Sequence, residues 1–115
     1  MSRRSASAVR LERAAPIFAA LGDETRLGLV QRLGSDGPLS ITRLTDGSHV
    51  TRQAVTKHLQ VLAEAGLVRD EWRGRERLWA FEGEPLSEAR RCLEAISSQW
   101  DHALARLQAL VEKDQ

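Results

Sequence analysis

Between Leu86 and Leu110 the apolar residues keep a seven-residue rhythm. Leu86, Leu93, Trp100 and Leu107 form one set, and Ala89, Ile96, Ala103 and Leu110 fall three places further along. That period is the seam of a helix packed lengthwise against another helix. The chain has 115 residues, enough to bury one core and not two. A helix of this extent overruns such a core, so a second copy is expected to cover the seam, with the first helix helping. The alternative is that the helix folds back and buries the seam within its own subunit.

Charge and cysteine use narrow the function classes. The formal net charge is +1, so any affinity for polyanions depends on where the arginines lie. They fall in two groups, Arg3, Arg4, Arg10 and Arg13 near the start and Arg69, Arg73, Arg75 and Arg77 further on. The single cysteine, Cys92, excludes an intramolecular disulfide. No apolar run approaches the ~20 residues of a membrane span, and MSRRSASAVR lacks the apolar stretch of a signal peptide. A cytoplasmic protein with no membrane partner is expected.

Local signals divide the chain into a mobile arm (1–13), a central module (14–84) and a terminal helix (85–115). Pro16 suits the first turn of a short helix carrying Ile17, Phe18 and Leu21 and ending at Gly22. Asp23 is placed to cap a second helix with Leu27, Val30 and Leu33 inward, which stops in the turn Gly34 to Pro38. Ser40 caps a short third helix that buries Ile41 and Leu44, and Asp46-Gly47-Ser48 breaks it. Thr51 caps a fourth, where Val55, Leu59 and Leu62 repeat at helical spacing, flanked by Ala54, His58 and Val61, until Gly66 ends it. Two strands follow, Leu67 to Trp72 and Arg75 to Phe81, joined through Arg73-Gly74-Arg75, with Trp72 and Trp79 expected to pack within the sheet.

Helices, a helix with a polar outer face, and then a basic-tipped hairpin follow one another in the order of a winged helix-turn-helix: a mainly α fold with a small β-hairpin. In that module a brace helix, here Ile41 to Thr45, supports a reader helix that enters the major groove of DNA. The reader is Thr51 to Ala65. Arg52 and Gln53 lie in its first turn, and those side-chain types bond guanine and adenine with two hydrogen bonds each. Thr56, Lys57 and Gln60 continue the outer side. On the hairpin, Arg73, Arg75 and Arg77 have the reach for phosphates or a narrow minor groove. Asp70, Glu71 and Glu76 leave open a hairpin held by cross-strand Arg/Glu pairs. The same surfaces also suit a protein-docking module, which salt dependence separates from DNA binding.

The runs LGDETRLGLVQRL (Leu21 to Leu33) and AVTKHLQVLAEAGLV (Ala54 to Val68), with the Gly74 wing, resemble the ArsR-type family of bacterial winged-helix repressors over about Ile17 to Phe81. The resemblance implies a homodimer that occupies a palindromic promoter site and releases it when an inducer, often a metal ion, binds. It places DNA contacts on Thr51, Arg52, Gln53, Thr56, Lys57 and His58 and on the wing from Arg73 to Arg77.

The chain departs from the family where metals bind. Metal-sensing members carry a cysteine pair on the brace helix, where this chain has LSITRLTD. Others use Asp and His on the last helix with a later His. Here Asp101 and His102 are adjacent, about 100° apart on a helix, and no histidine follows. His49, His58 and His102 do not cluster, so no metal and no cofactor is expected, and His58 is expected near a phosphate or against the wing. The sequence names no inducer. Cys92, beside the seam, is a small packing residue or, failing that, an intersubunit disulfide partner. No Ser/His/Asp or Cys/His set and no glycine-rich phosphate loop points to an enzyme.

Overall fold

The computed structural model describes residues 10–113. Arg3 and Arg4, and most of the expected arm, lie outside them. The elements run α1 (Leu11–Leu21), α2 (Glu24–Asp36), β1 (Leu39–Ser40), α3 (Ile41–Thr45), α4 (Arg52–Glu64), β2 (Val68–Arg73), β3 (Glu76–Phe81) and α5 (Glu84–Lys113).

Helix α1 starts earlier than its proline suggests. Pro16 sits inside it rather than in its first turn, on the exposed side, while Ala14, Ile17 and Ala20 form one buried stripe. Ala14 lies a turn before Ile17 on that stripe, and its burial favours helix there despite the hydrogen bond the proline ring removes. Residues 11–13, expected in the arm, are therefore helical.

Expected caps recur at the three following helices. Asp23 accepts the Arg26 N–H, Ser40 the Arg43 N–H and Thr51 the Ala54 N–H, at 3.0, 3.2 and 3.1 Å. In α2 the inward residues are Leu29 and Leu33, with Val30 half-buried. Leu27, expected inward, is 51% exposed, since two residues turn a helix by about 200° and carry it away from Leu29. In α3 Leu44 is buried and Ile41 only half-buried.

Helix α4 crosses the centre of the core. Val55, Leu59 and Leu62 have no exposed surface, and they meet Ile17, Leu33, Leu44, Leu67 and Trp79. Gly66, at φ +78°, ends the helix in the left-handed region, and the Leu67 N–H closes back on the Leu62 carbonyl at 2.9 Å. The hairpin turn is tighter than expected. Arg73 pairs with Glu76, so the loop is Gly74-Arg75 with glycine first at φ +63°, as a II′ turn requires. A third strand not foreseen from the sequence, β1, pairs with β3 through Leu39 to Trp79 and Ser40 to Leu78, and fixes α3 to the sheet.

Helix α5 has 30 residues, about 45 Å at 1.5 Å per residue. The radius of gyration is 19.4 Å, against roughly 13 Å for a compact domain of 100 residues, because the helix projects from the body. Only its first turns touch the core. Leu86 is half-buried, and Ala89, expected on the free seam, is 3% exposed and belongs to the subunit's own core, while Cys92 is buried too. Beyond them Leu93, Ile96, Trp100, Leu107 and Leu110 stay 54–65% exposed. Leu104 and Val111, at 44 and 55%, widen the stripe past the two sets in the sequence pattern. Ala103 is half-buried.

Candidate nucleic-acid interface

The polar side of α4 is set by the same turn geometry that buries its other side. At about 100° per residue, Arg52, Gln53, Thr56, Lys57 and Gln60 span an arc of roughly 140° opposite Val55 and Leu62. Arg52, Gln53, Lys57 and Gln60 are exposed, and Thr56 is half-buried with its hydroxyl donating to the Arg52 carbonyl at 3.0 Å. Thr51, at the cap, is exposed as well.

His58 falls outside this arc. It lies on the edge of α4 facing α2, half-buried, with Nδ1 3.2 Å from Arg26 Nη1 and 3.9 Å from Asp23 Oδ2, and so neither beside the wing nor on the polar arc. A guanidinium only donates, so Nδ1 accepts from Arg26 and the ring proton sits on Nε2. Arg26 also donates to the carbonyls of Ala19 and Ala20, which joins the end of α1, the start of α2 and α4 through one side chain. The backbone N–H of Arg26 holds the Asp23 carboxyl below its usual value, outweighing the cost of burial, and the Arg26 guanidinium adds a smaller pull in the same direction. Arg32 plays a similar part at the other end of α2, donating to the carbonyls of Leu44 and Asp46 and steadying α3. Neither arginine stands out in the sequence, because the carbonyls they reach are distant in it or belong to helix ends.

On the hairpin, two of the three wing arginines are already engaged. Arg77 donates from Nε to Asp70 at 2.9 Å and stacks over Trp79, its Cζ 4.8 Å from the ring centre. Arg73 bonds Glu71 at 3.2 Å. Arg69 is held by Glu82 and Glu71, whose hydrogen bonds raise its pKa further. Of the cross-strand pairing left open by the sequence, Arg77 with Asp70 is present, as an Arg/Asp rather than an Arg/Glu pair, while Arg73 and Arg69 pair with Glu71 along their own strand. Arg75, in the turn, has no carboxylate partner among the described residues.

Between wing, α3 and the first turn of α4 lies an open cleft of about 700 Å³, lined by residues that include Arg43, Arg52, Thr56, Trp72, Arg75 and Glu76. Trp79 is buried at 5% as expected, but Trp72 is 66% exposed. It shares a sheet face with Trp79, directly across from Arg77, yet it lies so near the hairpin tip that the core does not reach it. Arg43, on the exposed side of α3, was not singled out by any motif.

Among the described residues no group of three or more His, Cys, Asp or Glu side chains is arranged to hold a metal ion, and no helix is long and apolar enough to cross a membrane.

Comparison with known proteins agrees with this architecture. A family model described as a helix-turn-helix domain matches residues 21–71. The chain is 43% identical over 77 residues to an uncharacterized HTH-type transcriptional regulator of Bacillus subtilis, YuzN, covering 61% of this chain and 83% of that one. It is 35% identical over 97 residues to the HTH-type transcriptional regulator Rv2034 of Mycobacterium tuberculosis, covering 84 and 87% of the two chains. A solved ArsR-like transcriptional regulator from Rhodococcus sp. RHA1 matches with a TM-score of 0.73 at 37% identity, over 86% of this chain and 92% of the other. By sequence, by element order and by superposition, the chain belongs to the ArsR family of winged helix-turn-helix, DNA-binding transcriptional regulators.

Proposed function

We propose that the protein is a cytoplasmic, homodimeric repressor that binds a palindromic operator, two copies joined along α5 each seating α4 in a major groove. The observation that carries this reading is the division of α4: one side wholly buried, the other a polar arc without carboxylates over its first two turns, beside an arginine-rimmed cleft. Gln53, Lys57 and Gln60 face the groove, with Thr51, Arg52 and Thr56 at its edge and the wing alongside. His58 acts behind the surface, positioning α4 against α2. The dimer rests on the exposed apolar stripe of α5 from Leu93 onward, a surface that water penalises and a second copy of the same helix complements. Each wrong base pair costs only ~1–3 kcal/mol, so two copies on a repeat supply specificity that one cannot. The free, buried Cys92 fits a reducing compartment.

Titration of the full chain with cognate and random duplexes across salt concentrations tests the reading. Affinity is expected to fall steeply with salt, at a slope near −0.9 per phosphate neutralised. Gln53→Ala is expected to weaken cognate binding by ~1–3 kcal/mol and to leave random-sequence binding nearly unchanged. Equal losses on both duplexes would remove the base-reading role, and salt-insensitive association would favour protein docking.

A further inference from the structure

The two largely exposed tryptophans of this protein sit in different chemistry. Trp100 lies within a continuous apolar stripe, the setting of a helix-packing residue. Trp72 stands on the hairpin at the mouth of the cleft, with Arg43 from α3, Arg52 from α4 and Arg75 from the turn around the same space. None of those three arginines has a carboxylate partner among the described residues, and Glu76 is the one carboxylate lining the cleft. Arg77, which also lines it, is neutralised by Asp70. The cleft therefore carries surplus positive charge beside a broad apolar ring. A helix partner would match the ring but not the arginines, and a free inorganic anion would match the arginines but not the ring.

A sugar-phosphate strand matches both, since its phosphates take arginines and its deoxyribose faces take an aromatic ring. We propose that this cleft is a clamp for one strand of the duplex, with Arg43, Arg52 and Arg75 on successive phosphates and the Trp72 indole packed against the sugar between them. The idea rests on the DNA-binding reading above and adds to it two contacts, Trp72 and Arg43, that no recognition-helix motif supplies. The clamp also divides labour within the wing. Arg73 is paired with Glu71 along its own strand and Arg77 with Asp70 across the hairpin, which leaves Arg75 and Trp72 to touch DNA. Because the contact is to backbone, it fixes how deeply α4 sits and carries no base preference of its own.

The test uses the full chain and a duplex recovered by its own selection from a random pool. Trp72→Ala is expected to weaken binding at least fivefold, on the scale of aromatic contacts to nucleic acid, with the salt slope unchanged because no charge is lost. Trp72→Phe is expected to restore most of the affinity. Arg43→Gln is expected to reduce the salt slope by about one phosphate. In acrylamide quenching, DNA is expected to shield a tryptophan in the parent and to lose that effect in Trp72→Phe. Trp72 is exposed, so these variants are expected to fold, with melting curves matching the parent. If the parent binds duplex in a salt-dependent way and Trp72→Ala binds within twofold of it, the clamp is wrong and the DNA-binding reading stands. If the parent prefers no duplex, both fall together.

Discussion

Helices α4 and α5 carry the same kind of apolar pattern and meet opposite fates. In α4 the stripe Val55, Leu59 and Leu62 is fully covered by the subunit's own core, whereas in α5 the large apolar side chains from Leu93 to Val111 stay 44–65% exposed. Both satisfy helical periodicity, so the pattern itself says only that something covers each stripe. What differs is reach. α4 is 13 residues and lies across the body, while α5 is 30 and leaves it after Cys92. One stripe is satisfied by folding and the other is left for the proposed dimer to cover, and the boundary falls between Ala89 or Cys92, exposed at 3 and 7%, and Leu93 at 54%.

The contrast predicts effects of different kinds and sizes. The largest is expected at Leu59→Ala, which empties part of the core and costs about 2–5 kcal/mol of stability in chemical denaturation. The matching change in the distal stripe, Leu107→Ala, is expected to leave the fold of each subunit intact and to loosen association instead. If both variants lost stability equally and independently of protein concentration, the two stripes would be alike. Next comes Trp100→Glu, which places a charge in the seam. Sedimentation velocity is expected to show monomers, with operator affinity down by more than tenfold because each copy then binds alone. An unchanged dimer would place the interface elsewhere.

The smallest effect is expected at the junction that steadies α4 and has no counterpart in distal α5. Asp23 is held ionised by the Arg26 N–H, so its folded-state pKa lies below its unfolded one. Its contribution to stability is complete above the unfolded value, near pH 4, and is lost as pH falls through the lower folded value. Asn also caps helices well. Asp23→Asn should therefore melt below the parent at neutral pH, with the gap closing under acid. A gap that persists or widens at low pH would assign the loss to packing rather than charge.

Much of this was legible because it is local. Asp23, Ser40 and Thr51 announce the helix starts, Gly66 and Gly74 the left-handed positions, and spacing alone finds Val55, Leu59 and Leu62. The arc of α4 follows from the same spacing. What the sequence hid depends on the third dimension. β1 is two residues long and has no period to detect, and its pairing with β3 spans nearly forty positions. Trp72 resembles Trp79 in an alternating strand, and only the distance of the hairpin tip from the core exposes one and buries the other. Arginine pairing is hidden similarly: Arg77 meets Asp70 across the strand pair, so the wing's arginine run overstates its free charge. His58 and Arg26 are 32 positions apart and meet only when α2 packs on α4.

The central claim is that distal α5 is covered by a second copy and thereby sets the separation of two α4 helices. Selection of bound duplexes from a random pool by the full chain tests it most directly. The account predicts an enriched inverted repeat whose half-site centres lie about 10 bp apart or a multiple of that. A single unrepeated half-site, or a pool with no enriched motif, would contradict it.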